Sequence, residues 1–137
     1  MKTKILFFAL TLAFAGIQFA HAQNQQSALD GKKYKIDFMK DGKTESVETL
    51  IFNNSMLETP DCAKYGFTSG KAYVKQTQNY YTWSATVKSE KEGVMGWQGS
   101  VKGENIEGTC VWRKEGQPSN SYTFKGTTIK EEAPAQK

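Results

Sequence analysis

The residues able to do chemistry are few: two cysteines, Cys62 and Cys110, a single histidine, His21, and scattered carboxylates. His21 lies inside a segment with the pattern of a cleaved secretory leader. Lys2 and Lys4 precede an apolar run from Ile5 to Phe19, and Ala20-His21-Ala22 closes it as a small-x-small cleavage site. Removing residues 1–22 leaves no histidine. The mature chain then has no Ser-His-Asp or Cys-His nucleophile and no histidine-ligated zinc or haem, so neither a metal nor a cofactor is expected. Carboxylate pairs can still serve as acid and base. Here, though, Asp41, Glu45, Glu90, Glu92, Glu104 and Glu115 fall in or beside predicted turns and read as solvated loop edges. An enzyme is not expected.

An even cysteine count in an exported chain predicts one disulfide, Cys62 to Cys110. Closing so long a loop would stabilise the fold by roughly 4 kcal/mol on a chain-entropy argument. The alternative makes Cys110 a small buried apolar residue on the face of Ile106 and Trp112, with Cys62 unpaired in a loop. A redox-active pair is disfavoured, because the two do not form a C-x-x-C motif.

The other candidate chemistry is aromatic. Tyr34, Phe38, Tyr81, Trp83, Trp97, Trp112, Tyr122 and Phe124 all occupy predicted strand positions that can face one interior. Such rings could line a pocket for an apolar or planar ligand, with indole N–H groups to orient it. They could equally fill the core that a domain of this size requires. Gly96, Gly99, Gly103, Gly108 and Gly126 carry a similar double reading, as thin wall beside a ligand or as bends that let a small barrel curl.

These residues must be held by strands. From Gly93 to Thr127 apolar residues recur at spacing two: Met95, Trp97 and Val101, then Ile106, Cys110 and Trp112, then Tyr122 and Phe124. The same alternation puts Tyr34, Ile36 and Phe38 on one face of a strand over 33–39, and Tyr81, Trp83, Ala85 and Val87 on one face of another over 80–88. A strand over 45–52 ends in Leu50-Ile51-Phe52, which hides its parity. Residues 56–70 break the pattern; Pro60-Asp61 suits a turn or a single helical turn, and the stretch is a candidate lid or plug. Residues 23–29 read as a mobile polar extension and 130–137 as a disordered tail, which leaves a barrel domain over 30–129.

Short turns between about eight strands, with no amphipathic helix, predict an all-β fold: a single antiparallel up-and-down barrel, closed to remove its edges. A barrel of that size is filled by side chains or holds one small ligand. The net charge of +4 falls to +2 once Lys2 and Lys4 are gone, and lysines alternate with carboxylates, as in Lys88-Ser89-Glu90-Lys91-Glu92. No basic stripe for a phosphate backbone is apparent, so nucleic acid is excluded as a partner.

The ordered set Leu50-Ile51-Phe52, Cys62-Ala63-Lys64-Tyr65-Gly66-Phe67, Trp97-x-Gly99-x-Val101-x-Gly103, Ile106-x-Gly108-Thr109-x-x-Trp112 and Tyr122-x-Phe124-Lys125-Gly126 resembles a family of small exported bacterial proteins of unassigned function. The Gly-rich hairpins resemble the calycin class of barrels, the lipocalin and fatty-acid-binding group, at the level of fold. That resemblance implies a periplasmic or secreted barrel. The expected function is a monomeric, non-enzymatic binding module for a small hydrophobic ligand, with no membrane insertion after cleavage. The alternatives are a protein-interaction module, such as a periplasmic protease inhibitor, and a structural or stress-related envelope protein with a filled core.

Overall fold

Tight turns dictate the topology. Asp41-Gly42 and Asn54-Ser55 each place two residues of positive φ between paired strand ends, the backbone of a two-residue hairpin whose twist matches that of its strands. The computed structural model describes residues 26–131, and in it such hairpins order the strands as neighbours. The expected leader over 1–22 lies outside the described residues. So do residues 23–25 of the expected extension and 132–137 of the expected tail.

The strands are β1 (Lys33–Lys40), β2 (Lys43–Asn53), β3 (Met56–Glu58), β4 (Gly70–Gln76), β5 (Tyr81–Ser89), β6 (Gly93–Lys102), β7 (Asn105–Arg113) and β8 (Asn120–Thr128). One helical turn, α1 (Pro60–Ala63), separates β3 from β4. Every strand pairs antiparallel with its neighbours in sequence, and β1 pairs with β8 from Tyr34↔Thr128 to Met39↔Thr123. The expected closed eight-stranded up-and-down barrel is the observed fold.

Alternation along each strand sends one row inward. Tyr34, Ile36 and Phe38 of β1 face Leu50 and Phe52 of β2, Trp83, Ala85 and Val87 of β5, Trp97 and Val101 of β6, and Phe124 of β8, all buried. In β2 the ambiguous run resolves with Leu50 and Phe52 inside and Ile51 half-buried. The extension expected over 23–29 ends sooner than that: Leu29 is fully buried in the core. The Asp30 carboxylate holds it there by accepting from the backbone N–H groups of Ser27 and Ser55.

The deep interior is solid. Tyr34, Phe52, Trp83, Phe124, Trp97 and Phe38 form an unbroken chain of ring contacts with centroids 5.0–5.9 Å apart, within the range that aromatic pairs prefer. Space for these rings comes from glycine. A Cβ on Gly108 would lie 2.1 Å from the Gln98 carbonyl oxygen and 2.8 Å from Cζ of Phe124, so glycine here admits the ring.

Candidate functional site at the barrel mouth

The filled column stops at Phe38. Beyond it, at the end where β1, β5 and β7 finish and β2, β6 and β8 begin, a cavity of about 420 Å³ opens. Its apolar wall is Phe38, Tyr65, Phe67, Met95, Trp112 and Tyr122, and its polar residues are Glu45, Ser46, Glu48, Cys62 and Glu92.

Strand parity explains the polar group. Phe52 and Leu50 begin the inward row of β2, and the next two members of that row, Glu48 and Ser46, pair with Ile36 and Phe38. Both are half-buried. The Ser46 hydroxyl donates to Glu48 Oε1 at 2.7 Å, and the Cys62 thiol donates to Glu48 Oε2 at 3.7 Å. A carboxylate thus sits just inside the barrel rim with two neutral donors.

The segment between β3 and β4 closes one side of the mouth. It is tied to β2 by the Thr49 N–H, which donates to Asp61 Oδ2 at 2.6 Å, and to β5 by the Thr68 N–H, which donates to the Lys88 carbonyl at 3.0 Å. Buried Ser89 adds a second tie: its hydroxyl donates to the Tyr65 carbonyl at 2.8 Å and accepts from the Glu92 N–H at 3.1 Å. The candidate lid over 56–70 is therefore a latched wall, whose own Cys62 and Phe67 are buried. Next to this tie, the Trp112 indole donates to the Glu92 carbonyl, and Lys114 pairs with the Glu92 carboxylate at 3.0 Å.

The expected disulfide is corrected. Cys62 and Cys110 are both free thiols. The Cys62 thiol donates to Glu48, while Cys110 is wholly buried in the row between Trp97 and Tyr122. The alternative reading of Cys110, as a small buried apolar residue, describes what is observed. Burial first, then the neighbouring Glu48 charge, pushes the Cys62 thiol up to about 12. Burial likewise raises Cys110. A thiol so shifted is protonated at neutral pH and is a poor nucleophile.

The eight rings singled out from sequence divide by depth. Tyr34, Trp83, Trp97 and Phe124 pack the solid interior, and Tyr81 is partly buried against it. Phe38, Trp112 and Tyr122 line the mouth, where Phe38 stacks on Tyr122 with centroids 4.5 Å apart. Sequence reasoning missed Ser46, Glu48 and Phe67, and read Glu45 and Glu92, which also line the cavity, as solvated loop edges. The signal for the first two was their even spacing from Leu50 and Phe52, concealed by the apolar Ile51 between them.

Among the described residues no group of three or more His, Cys, Asp or Glu could hold a metal ion, and no helix is long and apolar enough to cross a membrane. A scan against protein-family models, a search of curated proteins and a search of solved structures each return no match for this chain.

Proposed function

We propose that this protein is an exported, non-enzymatic binding module that seats one small apolar or aromatic ligand at the mouth of a filled barrel. The observation that carries this reading is the ring-walled cavity of about 420 Å³. Its size falls within the range of ordinary small-molecule sites, which combine apolar walls with a few placed polar groups. Phe38, Phe67, Met95 and Trp112 supply apolar surface, and Glu48 and Ser46 supply the polar group. The secretory pattern over 1–22 supports export. The raised thiols and a mature chain without histidine favour binding over covalent catalysis.

Native mass spectrometry of the mature protein, exported to a bacterial periplasm and then denatured, tests this reading. A small mass that accompanies the folded protein and departs on unfolding is the expected result. Bare protein across repeated preparations, together with no saturable uptake of added apolar probes, would contradict it.

A further inference from the structure

We infer that the mouth selects a cation: a small ammonium or guanidinium group carried on an apolar body. This rests on the seat proposed above and names the chemistry of its ligand.

Two independent features of the seat agree. The first is the inward carboxylate. Glu48 continues the buried row of Phe52 and Leu50, yet the hydrogen-bonding partners it has are the neutral Ser46 hydroxyl and Cys62 thiol. The three ion pairs among the described residues, Lys33–Glu131, Lys114–Glu92 and Lys130–Glu104, do not involve it. A carboxylate offers about four acceptor sites, and two donors leave room for more. Any ligand that enters the cavity displaces water from this charge. A neutral apolar body leaves the carboxylate desolvated with two neutral donors and no counter-charge, and an anion adds repulsion; a cation compensates the loss.

The second feature is the rings. Phe38, Trp112 and Tyr122 line the same space, and aromatic rings attract cations. The chain already shows this at the rim, where the Lys40 ammonium lies 5.6 Å from the Tyr122 ring centroid, anchored by donating to Asn120 Oδ1 at 2.9 Å. Three of the eleven lining residues are glutamates and none is Lys or Arg. Lys114 pairs with Glu92, and Lys40 stands at the rim on the Tyr122 ring; Glu45 and Glu48 have no ion-pair partner among the described residues, so two carboxylates face one lysine at the mouth.

The test uses three probes of similar shape and different charge, phenyltrimethylammonium, tert-butylbenzene and benzenesulfonate, titrated against the mature protein and followed by tryptophan fluorescence and calorimetry. Phenyltrimethylammonium should bind about tenfold more tightly than tert-butylbenzene, its neutral carbon isostere, and benzenesulfonate should bind most weakly. In Glu48→Gln the cation's advantage should shrink toward parity, with tert-butylbenzene bound as well as before or better. If Glu48→Gln fails to fold, the salt dependence of the unmodified protein replaces it: added salt should weaken the cation and leave the neutral isostere unchanged. Equal or tighter binding of tert-butylbenzene would overturn cation selection while leaving the seat intact. Failure of all three probes to bind would overturn both the seat and its selectivity.

Discussion

Gly108 and Phe124 face each other across the β7–β8 ladder, and the Phe124 ring occupies the space that a side chain at 108 would need. A Cβ there would meet Cζ of the ring at 2.8 Å and a carbonyl oxygen of β6 at 2.1 Å. The solid interior depends on this relationship, because the same ring also reaches Trp83 and Trp97. Gly108→Ala should therefore destabilise the fold by about 3 kcal/mol, near the upper end of ordinary overpacking, since one of the clashing atoms is backbone. Urea denaturation checks it; an unchanged midpoint would mean that the strands slide apart at little cost.

Tyr34 gives the opposite sign. Its hydroxyl is buried with no hydrogen-bond partner, while its ring packs edge-on against Phe52 at 5.9 Å. Tyr34→Phe keeps the ring and removes the unsatisfied group. Stability should rise by about 1 kcal/mol, read from the same urea curves.

Buried acids set the alkaline limit. Cys62, from an ordinary 9.0, and Tyr34, from 10.0, are each pushed up to about 12 by burial, and Cys110 is raised by burial as well. Below pH 9 all three groups are protonated whether the chain is folded or unfolded, and their contribution is whole. Above it the unfolded chain releases protons that the folded chain retains, so stability falls as pH rises toward 12. Each group contributes up to about 1.4 kcal/mol per pH unit in that window. The melting temperature should be insensitive to these groups from neutrality to pH 9 and decline beyond it, less steeply in Tyr34→Phe. Iodoacetamide should label the folded protein at neutral pH far more slowly than the unfolded chain.

Ser89 latches the wall of the mouth by joining the Tyr65 carbonyl to the Glu92 N–H. Ser89→Ala should cost about 1 to 2 kcal/mol and accelerate hydrogen exchange at Tyr65, Gly66 and Glu92, with little change at Ile36 or Phe52. Binding of tert-butylbenzene should weaken in this variant, because the wall carrying Phe67 is held less firmly.

Much of the barrel was legible because strand alternation is a local signal. Tyr34, Ile36 and Phe38, or Trp83, Ala85 and Val87, announce their face without reference to any partner. The mouth was not legible for the complementary reason. Glu48 looks like a solvent-facing residue until the pairing Tyr34↔Leu50 fixes the register of β2 and turns it inward. Cys62 and Cys110 showed the limit of counting: parity of number suggested a bond, but only the fold shows that one thiol faces a carboxylate and the other a row of rings. Leu29 was obscured by the polar residues before it, and its burial follows from the Asp30 carboxylate that clamps the turn.

The proposed ligand seat lies at the mouth, above a barrel packed with rings. Chemical-shift mapping of the isotopically labelled protein during a titration with tert-butylbenzene locates the bound molecule. Saturable shifts should concentrate on Phe38, Phe67, Met95, Trp112 and Tyr122, with Tyr34 and Phe52 unmoved. Shifts centred on Tyr34, Phe52 and Trp83 would rule out a seat at the mouth, since they would mean that the ring column opens and the ligand enters the barrel itself.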